Sequence, residues 1–246
     1  MFSRRGPPFL KTVTDPKGSR RYHDKQEGTR PASEYQLLGF RVPPHPEKVR
    51  LRDSALAARE RLTGADREIK NRAIARSLNA LPEIRGAGMI MSYASFRSEV
   101  DTYAMMSSWL EEGKRVAVPI AEKKATTLIP SEILHLPDDL APGAYGVPEP
   151  KADRWRVIDL SSVEAVLVPG VVFDVSGHRI GYGMGFYDRF IGAVSGRFPF
   201  IGLAFDCQVV ERVPPERHDR AVDIVVTETR VIRVAAGRKS RGTNGS

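Results

Sequence analysis

The chain has 246 residues, with 38 Lys and Arg against 30 Asp and Glu and a formal charge of +8. That length suits one sizeable core better than two small domains, and no apolar run approaches the ~18 residues of a membrane span. The excess charge lies at the ends: residues 1–45 hold nine basic and four acidic residues, residues 233–246 hold four and none, and residues 46–232 are left with 25 against 26, which argues against a basic nucleic-acid face on the folded part.

Residues 1–45 are dense in Pro, Gly, Arg and Ser without an apolar period, which predicts a disordered basic extension. They contain no apolar segment of the kind a secretory signal needs. Asp15, Asp24 and Glu27 argue against an organelle transit peptide despite Arg4 and Arg5. Residues 233–246, also polar and rich in small residues, predict a loose tail. Residues 46–62 put Leu51, Ala55, Ala58 and Leu62 on one stripe behind Pro46, the pattern of an amphipathic helix. A second helix is predicted over Glu68 to Leu81, a buried strand in 86–95, a helix over Asp101 to Glu112 stopped by Gly113, and a strand in 115–120. Residues 163–174, 198–206 and 221–227 read as three further buried strands rich in Val and Ile. Cys207, the single cysteine, excludes an internal disulfide and suits a reducing cytoplasm; its apolar setting predicts a small buried thiol. Strands alternating with helices predict an α/β fold, a mostly parallel twisted sheet with helices on both faces. Ligands of such sheets sit beyond the carboxyl ends of the strands.

One loop there carries a phosphate-binding pattern. Gly181, Gly183 and Gly185 alternate, and glycine lets backbone N–H groups approach an anion without a Cβ in the way. The helix beginning at Phe186 adds a positive end. Asp188 suits either a Mg2+ ligand or a helix cap. The run is neither a Walker loop nor G-x-G-x-x-G, and a tight structural turn accounts for it equally well.

The longer string PGVVFDVSGHRIGYGMGFYDRF resembles the signature of the 5-formyltetrahydrofolate cyclo-ligase family. EKVRLRDSALAARERL resembles that family's opening helix, SEVDT its substrate loop, GAYGVPEP its G-x-x-G-I-x-E-P segment, and IGLAFDCQVV and HDRAVDIVVTE its closing strands. The resemblance spans about residues 46 to 230 in order and spacing. It implies a Rossmann-like sheet akin to sugar-phosphate isomerases and CoA transferases, and a cytoplasmic enzyme that uses MgATP to convert 5-formyltetrahydrofolate into 5,10-methenyltetrahydrofolate. Its implied partners are these small molecules, with no nucleic acid, no membrane and a monomer favoured.

On the family pattern, Lys48, Arg52 and Arg179 act on the ATP phosphates; Lys48 and Arg52 are four apart and share a helix face. The segment Arg179 to Tyr187, with Gly181, Tyr182, Gly183, Met184, Gly185 and Phe186, wraps the triphosphate, and Asp188 and Asp223 hold Mg2+. Both aspartates are expected at loop ends after buried strands. Glu99 matches the substrate carboxylate, with Tyr145 and Phe186 as rings against the folate, while Ser98 and Asp101 read as helix caps. Each aromatic reads equally well as core. His178 and His218 are not required by the pattern. Many relatives have Lys at the position of Met184, and removing an ammonium from beside a transferring phosphate slows turnover. Two alternatives follow: a folate- or nucleotide-binding paralogue with weak ligase activity, and a related isomerase-like enzyme, since fold does not fix function.

Overall fold

The computed structural model describes residues 11–14, 20–23, 45–143 and 146–234. The chain divides into Met1–Pro44 and His45–Ser246. In the first unit β1 (Lys11–Thr14) pairs antiparallel with β2 (Arg20–His23), a pairing that composition did not predict. The remainder of the extension expected to be disordered, and the tail from 235, lie outside the described residues.

The second unit runs α1 (Pro46–Glu60), α2 (Gly64–Asn79), the single turn α3 (Pro82–Arg85), β3 (Met89–Met91), α4 (Tyr103–Glu111), β4 (Arg115–Glu122), β5 (Thr127–Ile133), β6 (Leu140–Pro142), β7 (Pro148–Pro150), β8 (Ala165–Val168), β9 (Val172–Asp174), β10 (Arg179–Ile180), α5 (Phe186–Val194), β11 (Phe200–Leu203), β12 (Val209–Val210), β13 (Ile224–Val226) and β14 (Val231–Arg233). Pro46 opens α1 at a position where its missing N–H costs nothing. A reciprocal Thr63–Asp66 capping box opens α2.

Seven strands form the main sheet in the order β14-β13-β11-β8-β3-β4-β5. The five central strands are parallel; β14 and β5 close the edges antiparallel. The period of two along these strands sorts their side chains. Ile90, Ala165, Leu167 and Ile201 meet α2 and α4 on one face, through Ile74, Leu78, Met106 and Trp109. Met89, Met91, Val166 and Val168 meet α5 on the other, through Phe190, Ile191 and Val194. The expected α/β sheet covered on both faces is what the chain forms. Along the parallel strands, chain order reverses between β3 and β8, and a crevice opens at such a reversal beyond the carboxyl ends.

Four expectations need correction. The run 163–174 is two strands: Pro169 lacks the N–H a ladder needs, so β8 stays in the main sheet while β9 joins β10 and β12 in a separate three-stranded sheet. Residues 198–206 hold only the four-residue β11, after which Asp206–Gln208 make a 3-10 turn. That turn brings Cys207 to the surface, exposed and not buried. Arg233, assigned to the tail, ends β14 and makes a bidentate pair with Glu83 at 2.6 and 3.1 Å. Between 121 and 162 the sequence offered no element; there β5 returns along β4, and β6 and β7 pair with each other.

The backbone tolerates little extra volume where β9 leaves the sheet. The Phe173 ring lies so close that a Cβ on Gly202 would sit 2.4 Å from it, and one on Gly170 2.5 Å. Beneath β5, the fully buried Asp139 accepts from the N–H groups of Leu134 and His135 and from Arg154 and Arg156. Burial alone would raise its pKa, but these donors outweigh it and hold the carboxyl at about 2.

Two outcomes follow. Gly202→Ala should cost about 1–3 kcal/mol in chemical denaturation, and Phe173→Leu in the same chain should recover part of that loss; additive losses would show that the ring is not the obstacle. For Asp139, a depressed folded pKa means stability that is complete above about pH 4 and disappears as pH falls toward 2. Asp139→Asn should therefore flatten the stability profile across that window, as read by denaturation midpoints between pH 2 and 6.

Candidate active site

Helix α1 turns a basic stripe inward. Lys48, Ala55 and Arg59 are its buried residues, and Arg52 between them is half-buried; spacings of four, three and four place all four on one face. The expected stripe of Leu51, Ala55, Ala58 and Leu62 is thus only partly the buried one, because each cation has found an acceptor. The Lys48 ammonium donates to Glu216 Oε2 and Asp219 Oδ2, both at 2.5 Å. Arg52 Nε donates to the carbonyl of Gly181 at 3.0 Å. Arg59, 1% exposed, donates from Nε to Ser98 Oγ and from Nη2 to the Tyr182 hydroxyl, both at 2.9 Å. Glu216, His218 and Asp219 bring three potential ligand atoms within 4.8 Å of one another, but the Lys48 ammonium already occupies two of those carboxylates.

The loop after β3 presents Glu99. Arg97 sits at φ 56°, a left-handed conformation unusual for a side-chain-bearing residue, and the turn lets the Phe96 N–H donate to Glu99 Oε2 at 2.9 Å. Burial pushes the Glu99 carboxyl above the usual range, opposed by that N–H, by the Arg59 charge and by a hydrogen bond with Tyr182. Asp101 caps as expected, accepting from the Tyr103 N–H at 2.9 Å. Ser98 is not a cap; it serves Arg59.

The glycine loop follows β10 and ends in α5. Gly183 and Gly185 have φ of 95° and 71°, conformations that favour glycine. Gly181 is not in that region; a Cβ there would lie 3.1 Å from Arg179 Nη1. No side chain caps α5 at Gly185, so its first N–H groups face the loop as donors. Met184 is 44% exposed. Arg189, which sequence reasoning passed over, donates to the Met184 carbonyl at 3.3 Å.

Arg179 is buried, 5.7 Å from the centre of the Tyr187 ring and 3.2 Å from Asp188 Oδ1. Its Nε and Nη2 lack hydrogen-bond partners among the described residues, as does the Tyr187 hydroxyl. Burial, partly countered by Arg179, raises the pKa of that phenol. Asp188, in the first turn of α5, also accepts from the Arg220 N–H at 3.2 Å. Asp223 departs from expectation: it precedes β13, and its Oδ2 accepts from the Phe200 N–H at 2.9 Å, tying the starts of β13 and β11. Phe186 packs against the core on the α5 face, and Tyr145 lies outside the described residues. His178 approaches Asp174 at 3.4 Å, and His218 is exposed.

Arg52 and Arg59 thus link the glycine loop, at Gly181 and Tyr182, to the loop of Glu99 at Ser98, while Lys48 and Arg179 have partners of their own in Glu216, Asp219 and Asp188. Arg59 is the residue missed: it reads as a solvated charge until its register with Lys48 and Arg52 is noticed.

Comparisons with known proteins identify the family. Residues 44–228 match the 5-formyltetrahydrofolate cyclo-ligase family. Among curated proteins, the 5-formyltetrahydrofolate cyclo-ligase of Escherichia coli K12 is 30% identical over 174 residues, 70% of this chain and 96% of its own length. That of Mycolicibacterium smegmatis is 30% identical over 188 residues, 75% and 95% of the two chains. Among solved structures, the 5,10-methenyltetrahydrofolate synthetase of Aquifex aeolicus superposes with a TM-score of 0.67 at 30% identity, covering 80% of this chain and 97% of that one. A family match across three quarters of the sequence, together with relatives matched over nearly their whole lengths, shows that the chain belongs to the 5-formyltetrahydrofolate cyclo-ligase family.

Proposed function

We propose that the chain uses ATP to close 5-formyltetrahydrofolate into 5,10-methenyltetrahydrofolate, releasing ADP and phosphate. The observation that carries this reading is the joining of the nucleotide loop to the loop of a buried carboxylate through one helix: Arg52 and Arg59 of α1 bond the glycine loop at Gly181 and Tyr182, and Arg59 also bonds Ser98, the neighbour of Glu99.

In this reading the γ-phosphoryl group moves from ATP to the formyl oxygen, and ADP leaves. N10 then attacks the activated formyl carbon, and the C–O bond breaks as phosphate leaves. Little covalent work falls to the protein, whose task is positioning and charge stabilisation. The N–H groups at Gly183, Gly185 and the start of α5 cradle the phosphates, with Tyr187 and Phe186 closing that end. Arg52 and Arg179 supply positive charge, and the Nε of Arg179, without a hydrogen-bond partner among the described residues, is a donor suited to a phosphate oxygen. Lys48 joins them by exchanging Glu216 and Asp219 for the triphosphate. Glu99 accepts from the pterin N–H groups, and Tyr145 and Phe186 are its candidate ring neighbours.

The donor set also suits Mg2+. Asp188 offers hard carboxylate oxygens, and among the described residues both of its contacts fall on Oδ1, whereas the Asp223 carboxylate accepts from the Phe200 N–H at the start of β11. Bound Mg2+ would neutralise phosphate charge. We place the activity in the cytoplasm, in a monomer acting on small molecules without nucleic acid or membrane; among the described residues no helix is long and apolar enough to cross a bilayer.

The alternative of a weak paralogue draws on one observation, the thioether of Met184 exposed between two glycines where an ammonium would serve the phosphate. Arg189 at the Met184 carbonyl is the nearest guanidinium able to substitute.

The test is absorbance in the methenyltetrahydrofolate band with MgATP and 5-formyltetrahydrofolate. An ATP-dependent rise is expected, falling on the order of 100-fold in Asp188→Asn, which keeps an acceptor for Arg220 but loses the charge. Binding of both ligands without any rise would sink the ligase reading in favour of the paralogue. Met184→Lys should raise kcat by about tenfold if the missing ammonium limits turnover; an unchanged kcat would assign its role to Arg189.

A further inference from the structure

Arg59 poses a question the reaction above leaves open. Its guanidinium is 1% exposed, and Nη1 has no partner among the described residues. A buried cation is costly unless it is paired, yet its two hydrogen bonds go to neutral hydroxyls, Ser98 Oγ and Tyr182 OH. Glu99, the residue following Ser98, feels the Arg59 charge, and Arg59 holds its loop at Ser98 Oγ. A direct bidentate pair would occupy both carboxylate oxygens. The hold through Ser98 leaves Glu99 able to accept from a ligand while keeping its loop joined to Arg59.

Tyr182 is also the residue between Gly181 and Gly183. Its backbone is pinned from the other side by Arg52 on the Gly181 carbonyl. Fixing the hydroxyl therefore fixes the loop, and moving the loop moves the hydroxyl off Arg59.

We propose that Arg59 is a positioning residue that joins the loop of the folate carboxylate Glu99, held at Ser98, to the nucleotide loop, held at Tyr182, so that folate and nucleotide each tighten the other's binding. This rests on the functional reading above. The sign follows from ordering: whichever ligand arrives first settles the shared Ser98–Arg59–Tyr182 network, and the second meets a loop or carboxylate already in place. Reciprocity is then required by linkage.

The experiment is calorimetric titration of the full chain with 5-formyltetrahydrofolate, with and without a saturating non-hydrolysable ATP analogue and Mg2+. In the unaltered protein the analogue should lower the folate Kd about tenfold, equivalent to about 1.4 kcal/mol. Tyr182→Phe keeps the ring and removes the hydroxyl, and the ratio should fall below about twofold. Arg59→Lys, a cation without the planar fork, should lower it as well; should that variant fail to fold, Tyr182→Phe decides alone. Equal ratios in the unaltered and Tyr182→Phe proteins overturn the relay while leaving the ligase reading intact. Failure of the unaltered protein to bind one of the two ligands removes that reading and the relay with it. A merely structural role for Tyr182 would shift both folate affinities together and leave the ratio alone, which also overturns the proposal.

Discussion

Three cations on the inward face of α1 must each find an acceptor, and the rest of the site is arranged around that requirement. Desolvating a charge is expensive, so Lys48, Arg52 and Arg59 each draw a different segment toward the helix. Lys48 holds the stretch containing Glu216 and Asp219, Arg52 holds Gly181, and Arg59 holds Ser98 and Tyr182. These segments lie far apart in sequence and come from three different parts of the sheet. One helix face thereby sets the mutual position of the carboxylate loop and the glycine loop, a task that contacts within either loop could not perform.

The sheet decides where those segments can meet. With β3 and β8 at the reversal of chain order, the loop bearing Glu99 leaves one of the two strands and the path to the glycine loop leaves the other. The break at Pro169 and Gly170 carries the chain out of the main sheet into β9 and β10, and the Phe173 ring against Gly170 and Gly202 locks that exit. The glycine loop then enters α5 through Gly185 in a left-handed conformation, which directs the helix N–H groups at the loop. Strand order, a packed ring and two positive φ angles thus build a phosphate-sized concentration of donors without any unusual side chain.

Much of this was legible in the sequence. Strands dominated by Val, Ile and Met, and helices with clear apolar spacing, are decided by local pattern, and β3, β8, β11, β13, α4 and α5 all fall within their predicted segments. Positions set by long-range partners were not legible. Nothing near Arg59 says that Ser98 and Tyr182 will reach it, so it reads as a charge facing water. Asp223 looks like a residue at a strand's end, yet its carboxylate serves the Phe200 N–H at the strand's start. Cys207 reads as buried because the apolar run around it continues, while the 3-10 turn at Asp206–Gln208 reverses its direction. Of the hairpin β4–β5, β4 was legible and β5 was missed because Pro130 interrupts its pattern; Pro130 pairs opposite Pro119 of β4.

The three cations of α1 also differ in kind, and the difference suits different duties. Arginine's planar fork binds acceptors in fixed directions, whereas a lysine ammonium is a compact charge indifferent to the geometry of its partner. Arg52 and Arg59 hold a carbonyl and two hydroxyls, neutral acceptors that a triphosphate does not displace, so their bonds can persist through a catalytic cycle as framework. Lys48 instead rests on two carboxylates, one of them partly exposed. A triphosphate offers the same kind of partner with greater charge density, so the exchange trades one ionic contact for another; of the two carboxylates released, Glu216 is partly exposed to water and Asp219 keeps the Glu216 N–H. In the proposed reaction the mobile cation is therefore the lysine at the open end of α1, and the fixed ones are the arginines farther along the helix.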